Sequence, residues 1–172
     1  MSAWEFRGRS RPSFAIRPGP GQESVWDYPR PPCLERDTRR ITVWHGKRKL
    51  ADSTRAYRVL ETASPPTFYL PPEDVVETLL TAVAGGTMCE WKGVARYWAL
   101  AADGDAGPVA WTYPDPPEGF RAIAGYYAFY PGSLACFVNA ERVRPQPGRY
   151  YGGWVTSELV GPFKGEPGTG HW

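Results

Sequence analysis

Two histidines and three cysteines are all that this chain of 172 residues offers toward the chemistry those residue types usually carry. His45 lies in a short polar stretch expected to turn and His171 is penultimate, so a Ser-His-Asp or Cys-His relay, or a histidine-rich metal centre, has no central member. Cys33, Cys89 and Cys136 are odd in number and form no C-x-x-C pair. Neither a disulfide framework nor a thiolate zinc site is expected, and the thiol usage points to a reducing cytoplasm. No apolar run approaches the roughly 18 residues that a membrane-spanning helix needs. The first 22 residues carry Arg7, Arg9, Arg11 and Arg17 but lack the apolar segment of a secretory signal. Neither a G-x-x-x-x-G-K-[ST] loop nor a G-x-G-x-x-G turn between strand and helix is present, which excludes the standard P-loop and Rossmann sites. Charge of one sign is lacking too: 20 Lys and Arg against 18 Asp and Glu leave +2, too little for a dedicated nucleic-acid binder.

What the chain does have is turn formers and rings. Gly and Pro number 19 each, and 15% of residues are aromatic, with 8 Trp and 10 Tyr. Frequent turns exclude a helical bundle. Large rings let short strands assemble a core, and most of the rings are expected to serve that purpose. One domain is expected at this length.

Residues 1–23 read as an arm, ordered only if Trp4, Phe6, Phe14 and Ile16 dock. Ile41 to Trp44 and Lys49 to Ser53 flank the turn at His45-Gly46-Lys47 and predict a hairpin. Tyr57 to Thr62 predicts a strand with Tyr57, Val59 and Glu61 on one face and Arg58 and Leu60 on the other. Pro71-Pro72-Glu73-Asp74 predicts the start of one covering α-helix, with Val75, Val76, Leu79, Leu80 and Val83 on its apolar face and Gly85-Gly86 as its stop. Val94 to Ala102 and Pro108 to Tyr113 predict a second hairpin across 103–107. A short helix is expected over Glu118 to Ala124, and a third hairpin joins Tyr126–Tyr130 to Leu134–Val138. Residues 24–144 then form the main domain and 145–172 a Gly/Pro-rich extension packed on it, with a further strand at Trp154 to Ser157. The expected fold is mostly β: antiparallel hairpins with one covering helix.

With histidine set aside, acid–base work falls to Lys, Glu, Asp and Tyr. The Trp91-Lys92-Gly93 turn enters a strand carrying Tyr97, and the partner strand carries Trp111 and Tyr113, so a lysine and several rings, Tyr69 among them, are expected around one pocket. Lys92 and Glu61 are the catalytic candidates. The rings of Tyr69, Trp91, Tyr97, Trp111 and Tyr113 are the ligand-binding candidates. Arg55 and Arg58 are either anion anchors clustered with Glu61 or members of an internal Arg-Glu pair. Burial of Lys92 would lower its pKa while ring faces favour the cation, so the sign of its shift is open at this level.

Several segments carry a resemblance: Val25-Trp26-Asp27-Tyr28-Pro29-Arg30, Thr54-Arg55-Ala56-Tyr57-Arg58-Val59-Leu60-Glu61-Thr62, Thr67-Phe68-Tyr69-Leu70-Pro71-Pro72-Glu73-Asp74, Trp91-Lys92-Gly93, Ala110 to Pro114 and Ala128-Phe129-Tyr130-Pro131-Gly132. Together they resemble the bacterial family catalogued as domain of unknown function 427, and Tyr151-Gly152-Gly153-Trp154-Val155-Thr156-Ser157 resembles its longer version. The resemblance implies a compact β fold similar to the β-tent of methionine sulfoxide reductase B and of the ligand-binding domain of cereblon. Zinc, held between two C-x-x-C turns in many β-tents, does not carry over, because neither turn is present. The family also bears a nucleotidyltransferase-like label, yet nothing here resembles the G-S and paired-Asp motif of those enzymes.

The function these residues predict is binding of a small molecule in an aromatic-lined pocket, with turnover by Lys, Glu or Tyr and no metal, redox cofactor, nucleic acid or membrane. Non-catalytic ligand binding in the same pocket, and partner docking through the Trp-rich tail, are the alternatives; oligomers are open.

Overall fold

The computed structural model describes residues 4–172 and is mostly β, in several antiparallel sheets, none of them closed into a barrel. The short strand β1 (Glu23–Ser24) leads into β2 (Cys33–Asp37), which pairs with β5 (Ala56–Leu60), itself paired with β6 (Thr67–Tyr69). Between them the hairpin β3 (Ile41–His45) and β4 (Arg48–Ser53) forms as the Gly46 turn predicts. The hairpins of β7 (Leu80–Cys89), β8 (Gly93–Leu100) and β9 (Asp103–Thr112) build a sheet that β10 (Tyr127–Phe129) completes beside β9. Strand β11 (Ala135–Val138) crosses to pair with β3, and β12 (Glu141–Arg142) folds back on it. In the extension β13 (Arg144–Pro145) pairs with β14 (Trp154–Val155), and β15 (Leu159–Val160) returns beside β1 as the parallel pair.

Three expectations of local structure need correction. No helix runs from Pro72 to Val83: single 3-10 turns at Pro72–Asp74 and Glu77–Leu79 give way to β7. Val75 is extended, bridges Ala51, and the Val76 amide donates to the Leu50 carbonyl at 2.8 Å. A short apolar run rich in β-branched residues reads equally well at either period, and pairing with neighbouring strands decides it. The only helical segment longer than one turn among the described residues is the 3-10 helix Glu118–Ile123, close to the expected bounds, which buries Phe120 and Ile123. Residues 103–107 are not a loop either; Leu100 faces Asp103, so the turn is Ala101-Ala102, and register shifts at Ala99 accommodate Pro108 inside β9. Finally, β10 and β11 are not a hairpin, since the turn after Tyr130 sends them into different sheets.

The largest core cluster joins Ile41, Val43, Phe68, Leu70, Phe129 and Trp154, with Phe68 and Trp154 stacked at 4.8 Å between ring centroids. A second gathers Val59, Tyr69, Trp111, Tyr113, Phe120 and Ile123. The third is built around Trp26, which receives Phe6, Phe14 and Trp172 at 5.1–5.2 Å, so the rings of the N-terminal arm dock against the last residue of the chain. No helix among the described residues is long and apolar enough to cross a membrane.

Candidate functional site

Strand alternation builds the site. Val59 on β5 faces Thr67 on β6, and Tyr69 lies two residues beyond on the same face. Tyr97 on β8 faces Trp111 on β9, with Tyr113 two residues further. These surfaces meet around a cavity of about 240 Å³, which Glu61, Cys89, Lys92 and Tyr130 also line. Its remaining wall comes from the extension, through Gln146, Tyr150, Tyr151 and Gly152. Gly152 is packed so tightly on Trp111 that a Cβ there would lie 2.3 Å from the indole, which only glycine avoids. A larger recess of about 980 Å³ lies elsewhere, beside His45, Lys47, Arg48 and Leu79, but no buried ionisable side chain opens on it.

Lys92 is the charged centre of the smaller cavity. It is held by a tight turn in which Gly93 follows at φ +85°, a backbone conformation that favours glycine. Only 8% of the residue is exposed, and its ammonium lies 5.5 Å from the Tyr113 ring centroid and 5.9 Å from that of Phe120. Among the described residues no carboxylate lies within ion-pair distance of it. Burial disfavours the ammonium, the Tyr69 oxygen, the Cys89 sulfur and the Glu61 carboxylate around it favour it, and on balance its pKa is raised. The direction left open by the sequence is upward, toward the ammonium. Burial raises the pKa of Tyr69, against the opposing pull of Lys92, and burial likewise raises Tyr113 and Tyr130, so these phenols stay protonated.

The polar groups on the rim are mostly engaged. Glu61 accepts from Arg30 Nε at 3.1 Å, and Arg30 also donates to the Phe6 and Thr62 carbonyls. The Gln146 amide accepts from the Gly153 N–H at 3.0 Å and donates to the Lys164 carbonyl at 2.7 Å. Thr87 and Tyr97 share one hydrogen bond of 2.7 Å.

The structure brings Glu61, Tyr69, Lys92, Tyr97, Trp111 and Tyr113 to this cavity. Trp91 stands behind it, partly buried against the second core, with its indole N–H unpaired. The expected cluster of Arg55 and Arg58 with Glu61 does not form. Arg58 is even-numbered on a strand whose odd face meets the cavity, so it points the other way, to Glu23 at 2.6 Å, to Glu35, and toward Asp37 at 3.7 Å. Arg55 pairs with Asp74 at 2.7 Å on the surface. Sequence reasoning missed Cys89, Thr87, Tyr130 and the wall at 146–152. Cys89 was legible in principle, because a residue facing Gly93 across a two-stranded turn lies beside Lys92; the extension carried no period that could place it. Among the described residues no three His, Cys, Asp or Glu side chains gather as a metal site requires.

Fold and site together define a small antiparallel β protein with a ring-walled cavity onto which a buried lysine opens. The family model described as Domain of unknown function (DUF427) matches residues 33–143, more than half of the chain, and the protein belongs to that family. The cavity wall at Gln146 and Tyr150 to Gly152 lies beyond the matched segment. No curated protein matches the chain.

Proposed function

We propose that this protein binds a small organic molecule in the ring-walled cavity and acts on it by proton transfer, with Lys92 and Glu61 as the working groups. The observation that carries this reading is a buried ammonium with no carboxylate partner facing an open cavity. Desolvating a charge without an ion pair is expensive for stability and is commonly retained for function. As a cation, Lys92 suits stabilisation of negative charge developing on a ligand oxygen, and Tyr69, protonated beside it, is a second donor. Glu61, oriented by Arg30, is the group available to accept the proton. Redox and nucleotide-transfer motifs are missing from the sequence, which supports acid–base chemistry over those classes.

Non-catalytic binding in the same cavity is the second reading, favoured by the engagement of Glu61 with Arg30. Docking through the Trp-rich tail is the third reading; Trp154 is 1% exposed and offers it no surface, while Trp172 stacks on the exposed Phe14 at 5.2 Å. The test is a thermal-shift screen of small metabolites against the wild type and Thr87→Trp, which places an indole at the cavity mouth from an exposed position. Compounds that stabilise the wild type and lose their effect in Thr87→Trp support the reading; stabilisation that survives the blocked mouth refutes it. Turnover of such a compound, abolished in Glu61→Gln with binding retained, separates the enzyme from the binding module.

A further inference from the structure

The strongest hydrogen-bonding group of the cavity without an ion-pair partner among the described residues is a donor. Lys92 carries three N–H donors and no acceptor. An indole N–H can only donate, so in the 3.2 Å contact between Trp111 Nε1 and Tyr69 the phenol oxygen accepts; the Thr67 hydroxyl is its other neighbour, and as a hydroxyl it can accept or donate, so the phenol hydrogen is open to a ligand oxygen. Of the acceptors nearby, one Glu61 oxygen is taken by Arg30, the Gln146 carbonyl accepts from Gly153, and one of the Thr87 and Tyr97 hydroxyls accepts from the other, while none lies within ion-pair distance of Lys92. The Cys89 sulfur beside Lys92 is a weak acceptor and meets little of this demand.

Size and shape narrow the ligand further. At about 240 Å³ the space is below the roughly 300 Å³ at which drug-sized pockets begin, so it suits one ring with a short substituent. The walls offer flat faces at Trp111, Tyr113 and Tyr130, with Trp111 and Tyr130 at 4.5 Å between centroids. A cationic ligand is disfavoured, because the Lys92 ammonium already lies over the Tyr113 ring and would repel it.

We infer that the ligand is a small planar aromatic acid, seated with its carboxylate on Lys92 and Tyr69 and its ring between the aromatic walls. This rests on the cavity being the working site, and it adds the charge and shape of what enters. A carboxylate supplies the acceptor oxygens that the buried donors lack, and forms with Lys92 the ion pair that the protein itself does not provide.

Benzoate, benzamide and benzylamine, which share one ring and differ in charge, are the probes, titrated calorimetrically into the wild type, Lys92→Met and Tyr69→Phe. Lys92→Met keeps the apolar stem and removes the charge, and its melting temperature and near-ultraviolet circular dichroism check that the fold is kept. Benzoate is expected to bind the wild type at least tenfold more tightly than benzamide, with a similar tenfold loss in Lys92→Met, about 1.4 kcal/mol. Tyr69→Phe is expected to weaken benzoate with the ring contacts preserved, and it carries the test should Lys92→Met be poorly folded. Equal affinity for benzamide, tighter binding of benzylamine, or benzoate binding indifferent to both variants overturns the inference. If none of the three probes binds while metabolites from the screen do so in a manner sensitive to Thr87→Trp, the aromatic-acid class is wrong and the cavity reading stands. If no compound is sensitive to the blocked mouth, both fall.

Discussion

Arg58→Met tests whether this arginine holds the fold or serves a ligand. Its side chain is 7% exposed and lies among four carboxylates: Glu23 at 2.6 Å, Glu35, Asp37 at 3.7 Å and Glu158 at 4.0 Å. Removing one partner of a buried ion pair costs about 3–5 kcal/mol, because the charges left behind lose their compensation. Here the lower end applies. Arg39 still holds Asp37 at 2.6 Å and Glu158 at 2.8 Å, the Tyr28 hydroxyl still reaches Glu23 at 2.9 Å, and Glu35 is half exposed to water. A loss of about 3 kcal/mol corresponds to a fall in melting temperature of roughly 6–12 °C for a domain of this size. Urea denaturation near neutral pH reads that loss directly. The deficit should also shrink toward about pH 4, because protonation relieves repulsion among the stranded carboxylates. In the wild type the Asp37 pKa is lowered: burial works to raise it, and the bonds from Arg39 outweigh that effect. Its stabilisation is therefore present above the unfolded value of about 3.9 and is lost as pH falls through the lower folded value. A loss under about 1 kcal/mol, as for an exposed pair, would refute the reasoning. So would a deficit that does not change with pH, or loss of benzoate binding in a stable Arg58→Met protein.

Arg55→Gln should change stability by no more than about 1 kcal/mol and leave ligand binding untouched, since its pair with Asp74 is solvent-screened; calorimetric titration and melting read both. Gly152→Ala should cost about 1–3 kcal/mol and weaken every cavity ligand, because the new methyl must push the Trp111 indole toward the space the ligand needs. The Lys164 pKa is lowered to about 8 by burial and the Arg30 charge. Between there and the unfolded value of about 10.4 the unfolded chain binds more protons, so stability should rise with pH in that window. The gain over that range is about 1–2 kcal/mol for a lysine only 3% exposed, and Lys164→Met should abolish the rise in urea midpoints measured between neutral pH and about pH 9.5.

Much of the site was written in local alternation. Val59 and Glu61, Thr67 and Tyr69, and Tyr97, Trp111 and Tyr113 keep one parity along their strands, so any antiparallel pairing of those strands turns them to a common face. The same rule already set Arg58 apart from Glu61, and the structure follows the rule. Gly93 after Lys92 marked a tight turn, and the rings of the arm marked its means of docking.

Local pattern could not decide what depends on neighbours distant along the chain. The segment 72–84 carries a helical apolar period, yet β4 and β8 lie beside it and draw it into bridges and a strand, because tertiary pairing outweighs propensities worth a fraction of a kcal/mol per residue. The partner of Glu61 is Arg30, 31 residues earlier, and the wall that closes the cavity arrives from 146–152. The direction of the Lys92 pKa shift was open in the sequence because burial and ring faces act in opposite directions; it turns upward because the folded chain sets Tyr69, Cys89 and Glu61 around one amine. The sequence by itself determined β3, β4, β5 and β8 with their faces, and the residue types available for chemistry. The tertiary structure decided which charges meet and that the buried Lys92 has no carboxylate within ion-pair distance among the described residues, because electrostatic energy depends on distances and burial that exist only once the sheets have packed.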